Sequence, residues 1–596
     1  MEDTIHGIKV DYSRDGLFDE LGIKRLKESY MKDEEKSPQE RFAFVSKAFG
    51  SDSEHAQRLY DYSSRHWLSY STPILAFGRT KRGLPISCFL PYLHDSAEGL
   101  VDCLSEVNWL SMLGGGIGIG IGIRSADDKS VGVMPHLRTY DASSLAYRQG
   151  RTRRGSYAAY LNISHPDILI FLEMRKPTGD QNMRCLNLHH GINITDDFMQ
   201  IIEKCMLDPN ADDTWELKDP HNGEVREKVS AKELWQRILE MRMHTGEPYI
   251  HFIDTSNKKM PEFQRKLGLS IKQSNLCSEI ILPTDKDRTA VCCLSSVNLE
   301  YFDEWKNNKL FLRDIAEMLD NVLQYFIDNA PNEISRAKYS AKRERSIGVG
   351  ALGFHAYLQK NNIAWESALA TSANVRMFKH IRKKLDEANK EIGALRGEAP
   401  DAKGTGLRFS HVSAIAPNAS SSIIMGNTSP SIEPYRANAY RQDTLSGASL
   451  TKNKFLDTIL RDKIKDEEEL QKTWSSIIAN DGSCQHLDIL SEDEKNIFKT
   501  SMEIDQRWII DHAAHRQEYI DQSQSVNLFF RPDANIKYIH AVHFQAWKQE
   551  LKTLYYCRSE KIGKADKVSK RIERKVIEEI DMKALATEEI CLACEG

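Results

Sequence analysis

Five of the eleven cysteines in this 596-residue chain stand where dithiol-driven radical chemistry would need them. Cys277 lies in Asn275-Leu276-Cys277-Ser278-Glu279, between an amide and a carboxylate. Read as an extended loop, alternate positions put Asn275, Cys277 and Glu279 on one face. As a thiyl radical, such a cysteine could abstract a hydrogen atom while the carboxylate takes a proton from a neighbouring hydroxyl. The amide would hold the same substrate by hydrogen bonds. A nearby carboxylate raises a thiol's pKa, so Cys277 is badly placed to act as a thiolate nucleophile. The competing reading is a buried cysteine in a turn, and the pentapeptide alone favours it.

Cys88, in Ile86-Ser87-Cys88-Phe89, and Cys292, which opens Cys292-Cys293-Leu294-Ser295, are far apart in sequence. Only a fold could join them. Removing a hydroxyl from carbon consumes two electrons, the number a dithiol releases on closing to a disulfide. Cysteine is also a common buried residue, so either one alone means little. Cys293 cannot share the orientation of Cys292 in a strand and reads as structural. Cys591 and Cys594 form a Cys-x-x-Cys at the C-terminal tip, suited to reduce an internal disulfide by exchange. The rival, half of a zinc site, lacks a second Cys-x-x-Cys.

Tyr555 and Tyr556 are adjacent. Such pairs are most often core or interface aromatics, yet a phenol can also pass an electron and a proton stepwise. Two segments look ready for phosphate. Ala416-Pro417-Asn418-Ala419-Ser420-Ser421-Ser422-Ile423 reads as a helix start, whose free N–H groups and dipole favour an anion. Leu113 to Arg124 alternates glycine with isoleucine; the glycines permit close backbone approach, and tight strand packing is the alternative. The basic loop Gln149-Gly150-Arg151-Thr152-Arg153-Arg154-Gly155 could be a nucleic-acid patch, but the acidic balance elsewhere favours a nucleotide phosphate. No Glu-x-x-His pair occurs, so the usual di-metal carboxylate signature is missing. No metal site is expected on this chain, and a radical, if used, is generated elsewhere.

These groups need a scaffold to bring them together. The first seventy residues read as helical and without chemistry. Ser37-Pro38-Gln39-Glu40 is a capping box closed by Gly50, and Ser51-Asp52-Ser53-Glu54 opens a second helix expected to run to about Tyr70. Beyond residue 71, short apolar runs alternate with helical patterns. Strands are expected at Ile117 to Ile123, Gly191 to Ile194 and Ala290 to Leu294, with helices at 231–245, 312–329 and 375–392. That alternation predicts an α/β fold with a largely parallel sheet wrapped by helices. Lys561 to Glu589 is dense in charge and reads as a tether for the last two cysteines.

Composition limits the rest. With 40% hydrophobic and 28% charged residues the chain is of ordinary globular type, and a net charge of −5 argues against a general nucleic-acid binder. No apolar run is long enough for a membrane span. The N-terminus lacks a secretory pattern, and the odd, irregular cysteine set favours reduced thiols in the cytoplasm.

In this order along the chain, these segments resemble the catalytic large (alpha) subunit of class I ribonucleotide reductase, over roughly residues 70 to 560 plus the tail. Arg345-Ser346-Ile347-Gly348-Val349-Gly350, Ile424-Met425-Gly426-Asn427 through Ser431-Ile432-Glu433-Pro434, and Gln522-Ser523-Gln524-Ser525-Val526-Asn527-Leu528 carry the likeness further. The resemblance implies a ten-stranded α/β barrel of two antiparallel five-stranded parallel halves, with Cys277 on a central finger loop. An N-terminal helical region (1–70), a catalytic barrel (71–560) and a flexible redox tail (561–596) would divide the chain.

It also implies roles. Cys277 would be the thiyl that takes the 3′ hydrogen of a ribonucleoside diphosphate, Glu279 the base on the 3′ hydroxyl, and Asn275 the sugar's amide partner. Cys88 and Cys292 would be the reducing pair, regenerated by Cys591 and Cys594 with thioredoxin or glutaredoxin. Tyr556 and then Tyr555 would relay a radical from a separate small (beta) subunit that holds the di-metal or tyrosyl cofactor. Thr72, Ser87, Gly116 and Pro417, Asn418, Ala419, Ser420 and Ser421 would contact substrate. Asp95, Ser96, Arg124, Gln149 and Arg153 would serve a dNTP or ATP effector, in a homodimer. The family's usual N-terminal nucleotide-sensing cone has no room before the catalytic region, so dATP is expected not to switch the enzyme off through one. Two rivals stand beside this reading. One is an adenosylcobalamin-dependent reductase, disfavoured by the tandem tyrosines. The other is an inactive nucleotide-binding regulator, disfavoured by the intact cysteines and Glu279.

Overall fold

A computed structural model describes residues 4–80, 83–147, 155–444 and 447–559. Its N-terminal part is helical. Ser37 caps helix Pro38–Phe49, its side chain accepting from the N–H of Gln39, and Gly50 follows the last turn. The expected capping box is offset by one residue, since the Glu40 carboxylate accepts from the N–H of Lys36 at 3.0 Å. Helix Ser53–Ser64 starts on Asp52 and stops short of Tyr70. His66 takes a φ of +62°, and Leu68–Tyr70 is a strand paired antiparallel with Ser295–Val297. The open edge of that neighbouring strand satisfies the backbone of 68–70, so extension wins over further helical turns.

The expected parallel sheet is present. Strands Cys88–Leu90, Gly116–Ile121, Tyr157–Asn162, Leu188–Ile194 and Tyr249–Phe252 lie side by side, all parallel. Helices lie in the connections, as parallel neighbours require a crossover. A second parallel run starts with Leu294–Asn298 beside Gly348–Leu352. It continues through parallel bridges from Val349 to Ser413 and from Ile415 to Gln524, and ends with Leu528–Phe530 beside Cys557–Ser559.

Two antiparallel seams join the runs. Ala290–Cys292 pairs with Cys88–Leu90, and Thr553–Leu554 pairs with Ile250 and His251. Segments 290–298, 348–352, 413–415, 522–530 and 553–559 thus form the second five of a ten-stranded ring. The helices land close to expectation. Ala231–Thr245 matches, Phe311–Asn329 begins one residue early, and the third runs longer, over Ala368–Arg396. Among the described residues, no helix is long and apolar enough to cross a membrane.

Segment 270–283 has no helix or strand and packs against the sheet from inside the ring. This contact explains the alternating glycines of Gly116–Ile121. A Cβ on Gly118 would lie 2.4 Å from the carbonyl oxygen of Ser274 and 2.6 Å from Cα of Asn275. The isoleucines Ile117, Ile119 and Ile121 face the opposite way, into the main core. What the glycines admit is therefore the protein's own inner loop.

Candidate active site

Cys88 and Cys292 are direct partners across the antiparallel seam, so register alone sets their side chains together. Neither is in a disulfide, and both are buried. Burial, and then the neighbouring Cys88 thiol, pushes the Cys292 pKa well up, so that this thiol is held protonated. Electrons leaving such a pair leave with protons. Cys293 points the other way, as the strand period requires; its sulfur sits 3.5 Å from the carbonyl of Leu319 in the outer core.

The inner loop brings Asn275, Cys277 and Glu279 to this pair, though not as an extended strand. Ser278 adopts a φ of +67° and its N–H turns back to the carbonyl of Asn275 at 3.3 Å. The period-two picture is therefore corrected to a tight turn. Asn275 Nδ2 lies 3.5 Å from the sulfur of Cys88, and a Glu279 oxygen lies within 4.8 Å of both Cys88 and Cys292 sulfurs. The turn is clamped on all sides. Tyr160 donates to the carbonyl of Asn275 (2.7 Å), Ile280 N–H to Asn275 Oδ1 (3.0 Å), and Ser525 to the carbonyl of Cys277 (2.6 Å). The Ser525 hydroxyl also lies 3.3 Å from Glu279 Oε2. A buried carboxyl beside two thiols and an amide can take a proton from a bound hydroxyl.

Cys277 itself faces the tyrosines. The Tyr555 hydroxyl donates to its sulfur at 3.4 Å. The Tyr555 and Tyr556 rings stand 4.3 Å apart, and Tyr249 packs on both at 4.8 and 5.1 Å. All three are buried. Burial, and next the charge of Glu247, pushes the Tyr556 phenol far up, against the Arg558 guanidinium 4.1 Å over its ring. The phenol is therefore held in its protonated form. Its oxygen lies 3.5 Å from Nδ1 of His189, and that nitrogen is 2.6 Å from Glu247. Glu247 also bonds the His190 backbone and ring and faces Arg175, which together hold its carboxyl well below the usual range despite burial.

The expected phosphate segment forms the short helix Ala419–Ile424. Asn418 precedes it but does not cap it. Its Nδ2 donates to Ser296 Oγ and to the carbonyl of Ala351, both at 3.1 Å, while its Oδ1 is buried without a hydrogen-bond partner. Such an oxygen is costly unless a ligand completes it. Pro417 leads into this turn from Ala416, which packs among the inner-barrel residues, and Ser421 is buried beside Ser420. Ser420 accepts from Arg25 at 3.2 Å. Arg25 also lines an open cleft of about 190 Å3 with Tyr30, Thr72, Leu84 and Gly114. Thr72 bonds the Tyr30 hydroxyl at 3.2 Å. Ser87 and Gly116 meet nearby, the Gly116 N–H donating to the Ser87 carbonyl at 2.8 Å. The helical region is thus more than a scaffold, because its Arg25 reaches the serines of the barrel.

Asp95, Ser96 and Arg124 are assembled at the other end of the sheet connections. Arg124 pairs with Asp95 at 2.9 Å, and Ser96 caps helix Ala97–Met112 by accepting from Gly99 N–H. Gln149, Arg153, Cys591 and Cys594 lie outside the described residues.

Sequence reasoning missed Arg25, Tyr249, Tyr160, Ser525, His189 and Glu247. Arg25 sits on an ordinary amphipathic helix and Tyr249 in an apolar strand, so neither carried a local sign. The one available cue was the adjacent histidine pair His189-His190 inside the buried strand Leu188–Ile194.

Comparison with known proteins agrees along nearly the whole chain. Residues 86–402 and 399–557 match the family profile described as the ribonucleotide reductase barrel domain, and residues 16–83 match the all-alpha domain of the same enzyme. The ribonucleoside-diphosphate reductase large subunit of Invertebrate iridescent virus 3 is 55% identical over 99% of this chain and 100% of its own length. The corresponding protein of Invertebrate iridescent virus 6 is 39% identical, with 94% of each chain covered. Among solved structures, the class Id ribonucleotide reductase alpha subunit of Actinobacillus ureae superposes with a TM-score of 0.80 at 32% identity, covering 91% of this chain and 98% of that one.

Proposed function

This chain belongs to the ribonucleotide reductase large-subunit family, and from that membership we propose that it reduces ribonucleoside diphosphates to 2′-deoxyribonucleoside diphosphates. The observation that carries the assignment of roles is the meeting of Cys88, Cys292 and Glu279 within 4.8 Å, next to a cysteine that touches Tyr555.

In this reading a radical generated on a separate small subunit reaches Tyr556, passes to Tyr555, and leaves a thiyl on Cys277. The thiyl takes the 3′ hydrogen of the bound ribose. Glu279 accepts the 3′ hydroxyl proton and Asn275 holds the sugar. The 2′ hydroxyl departs as water, with Cys88 and Cys292 supplying two protons and two electrons and closing to a disulfide. Burial inside the barrel protects the radical by excluding water and stray reductants. The hydrogen returns from Cys277 to the 3′ carbon, so the thiyl is regenerated for the return relay.

Arg25, Ser420, Ser421 and the uncapped turn at Asn418 would hold the diphosphate, and Thr72, Ser87, Gly116, Pro417 and Ala419 would border the sugar. Cys591 and Cys594 would reopen the disulfide and be reduced by thioredoxin or glutaredoxin. Asp95, Ser96 and Arg124, with Gln149 and Arg153, would answer to a dNTP or ATP effector in a homodimer.

The test is reconstitution. The chain, a small subunit from the same source, a ribonucleoside diphosphate and a dithiol should give deoxynucleotide, and Cys277→Ser should give none. Turnover with adenosylcobalamin in place of the small subunit would refute the two-subunit reading. Serine at both 591 and 594 should spare turnover with a small dithiol and abolish it with thioredoxin; equal loss with both reductants would remove the shuttle.

A further inference from the structure

The thiols and carboxylate that meet on the inner face of the barrel also make a donor set for a metal ion. One sulfur from Cys88, one from Cys292 and one oxygen from Glu279 are mutually within 4.8 Å, and all three residues are buried. We propose that in the dithiol state these three atoms bind one borderline-soft divalent cation, Zn2+ or Cd2+, and that the bound ion locks the pocket against substrate.

The donor chemistry fits. Two thiolates and a carboxylate are ordinary zinc ligands, with metal–sulfur distances of about 2.3 Å and metal–oxygen distances of about 2.0–2.2 Å. Tetrahedral coordination at those lengths brings sulfurs to roughly 3.8 Å from each other. The present separations therefore need only a modest side-chain rotation. The backbone already fixes the approach, because Cys88 and Cys292 are register partners on hydrogen-bonded strands. Glu279 is steadied by Ser525, and its carbonyl accepts from Ser523 N–H at 2.9 Å. Three protein ligands leave a fourth position for water, the pattern of open zinc sites.

A second buried cluster shows the contrast. His55, Asp314 and Glu317 are equally close together, but Arg58, Arg313 and Arg396 already neutralise those carboxylates. A cation has nothing to gain there.

Binding at the thiol site changes no oxidation state. Two S–H groups become thiolates, two protons go to solvent, and two metal–sulfur bonds form with one metal–oxygen bond. Once Cys88 and Cys292 close to a disulfide, neither sulfur can be a thiolate, and the site is gone. The ion would therefore select the reduced resting chain and compete with the nucleotide for the same three groups.

The experiment uses the full-length chain carrying Cys591→Ser and Cys594→Ser, which removes the other closely spaced thiol pair. Cd2+ is titrated into the reduced protein and followed by equilibrium dialysis and by ultraviolet thiolate-to-cadmium absorbance. One equivalent should bind with a two-thiolate signal. Oxidation of the Cys88–Cys292 pair should abolish that equivalent, an arm that needs no further substitution. Cys88→Ser should abolish it as well, and Glu279→Gln should weaken it at least about tenfold, since even losing a group that only supports a ligand costs that much. Undiminished binding after oxidation, or in Cys88→Ser, would overturn the proposal, as would the absence of a bound equivalent. The inference rests on donor geometry and is read without turnover. A chain that binds the ion but makes no deoxynucleotide would sink the proposed function alone, and a chain that turns over but takes up no ion would sink this inference alone.

Discussion

The Tyr555 hydroxyl and the Cys277 sulfur are in direct hydrogen-bond contact, 3.4 Å apart, at the inner end of a cluster of three buried tyrosine rings. No side chain intervenes between the phenol and the thiol. Tyr555→Phe keeps the ring and its packing but removes the one atom that touches sulfur. Turnover with the small subunit should fall at least about a hundredfold, the scale of a lost proton-transfer partner, with nucleotide affinity unchanged. Near-normal turnover in this variant would dismiss the relay.

Glu279→Gln replaces the carboxylate with an isosteric group that cannot accept the hydroxyl proton. We expect kcat to fall by about 10²- to 10⁴-fold while substrate still binds. Equilibrium dialysis with a labelled nucleoside diphosphate separates the two effects. Loss of binding alone, with kcat intact, would assign Glu279 to substrate recognition.

The register of Cys88 and Cys292 predicts the product of a single turnover. Without external reductant, the wild-type chain should stop after forming a disulfide between these two residues, detectable by peptide mapping. Cys293, facing the outer core, should remain a thiol throughout. A disulfide from Cys293 to either partner would contradict the register.

Arg25 contributes a guanidinium to Ser420 from outside the barrel. Losing a hydrogen bond between that cation and a diphosphate costs about 1.5–3 kcal/mol, so Arg25→Ala should raise KM by roughly ten- to a hundredfold. Because the contact is remote from the sugar, kcat should change little. A fall in kcat at constant KM would place Arg25 in the chemistry.

Lys552, beside the tyrosine strand, is buried, and its ammonium donates to the carbonyls of Asp521 and Gln522 at 2.7 Å. Burial pulls its pKa down from 10.5 to about 7, against the opposing pull of Asp521. Between those values the unfolded chain holds a proton that the folded chain has released. Stability from this group therefore rises with pH across that window and is flat below it. Urea unfolding at pH 7 and 9 should show wild type gaining on Lys552→Met by up to about 1.4 kcal/mol per pH unit. A gain in the opposite direction would refute the shifted lysine.

Much of the reactive inventory was legible in the sequence because its signs are local. Asn275, Cys277 and Glu279 lie within one pentapeptide, Tyr555 and Tyr556 are neighbours, and the odd–even rule separated Cys293 from Cys292. The glycine–isoleucine alternation was visible too, with close backbone approach read from its glycines. The helix start at Ser37 was legible for the same reason, since a cap depends on residues within one turn.

Other features depended on contacts between distant segments. Helix 53–64 gives way to a strand at Leu68 because Val297 offers it a partner, and no local pattern records that. Cys88 and Cys292 become a pair only through the seam that closes the ring, and Tyr249 joins the tyrosines only because its strand borders the one leading to Tyr555. Arg25, His189 and Glu247 acquire meaning through neighbours from remote parts of the chain. Short-range sterics and hydrogen bonding write themselves into adjacent residues, so the sequence determined the reactive groups and many local elements. Which of those groups share one dry interior was decided by ring closure, a long-range event that only the tertiary structure carries.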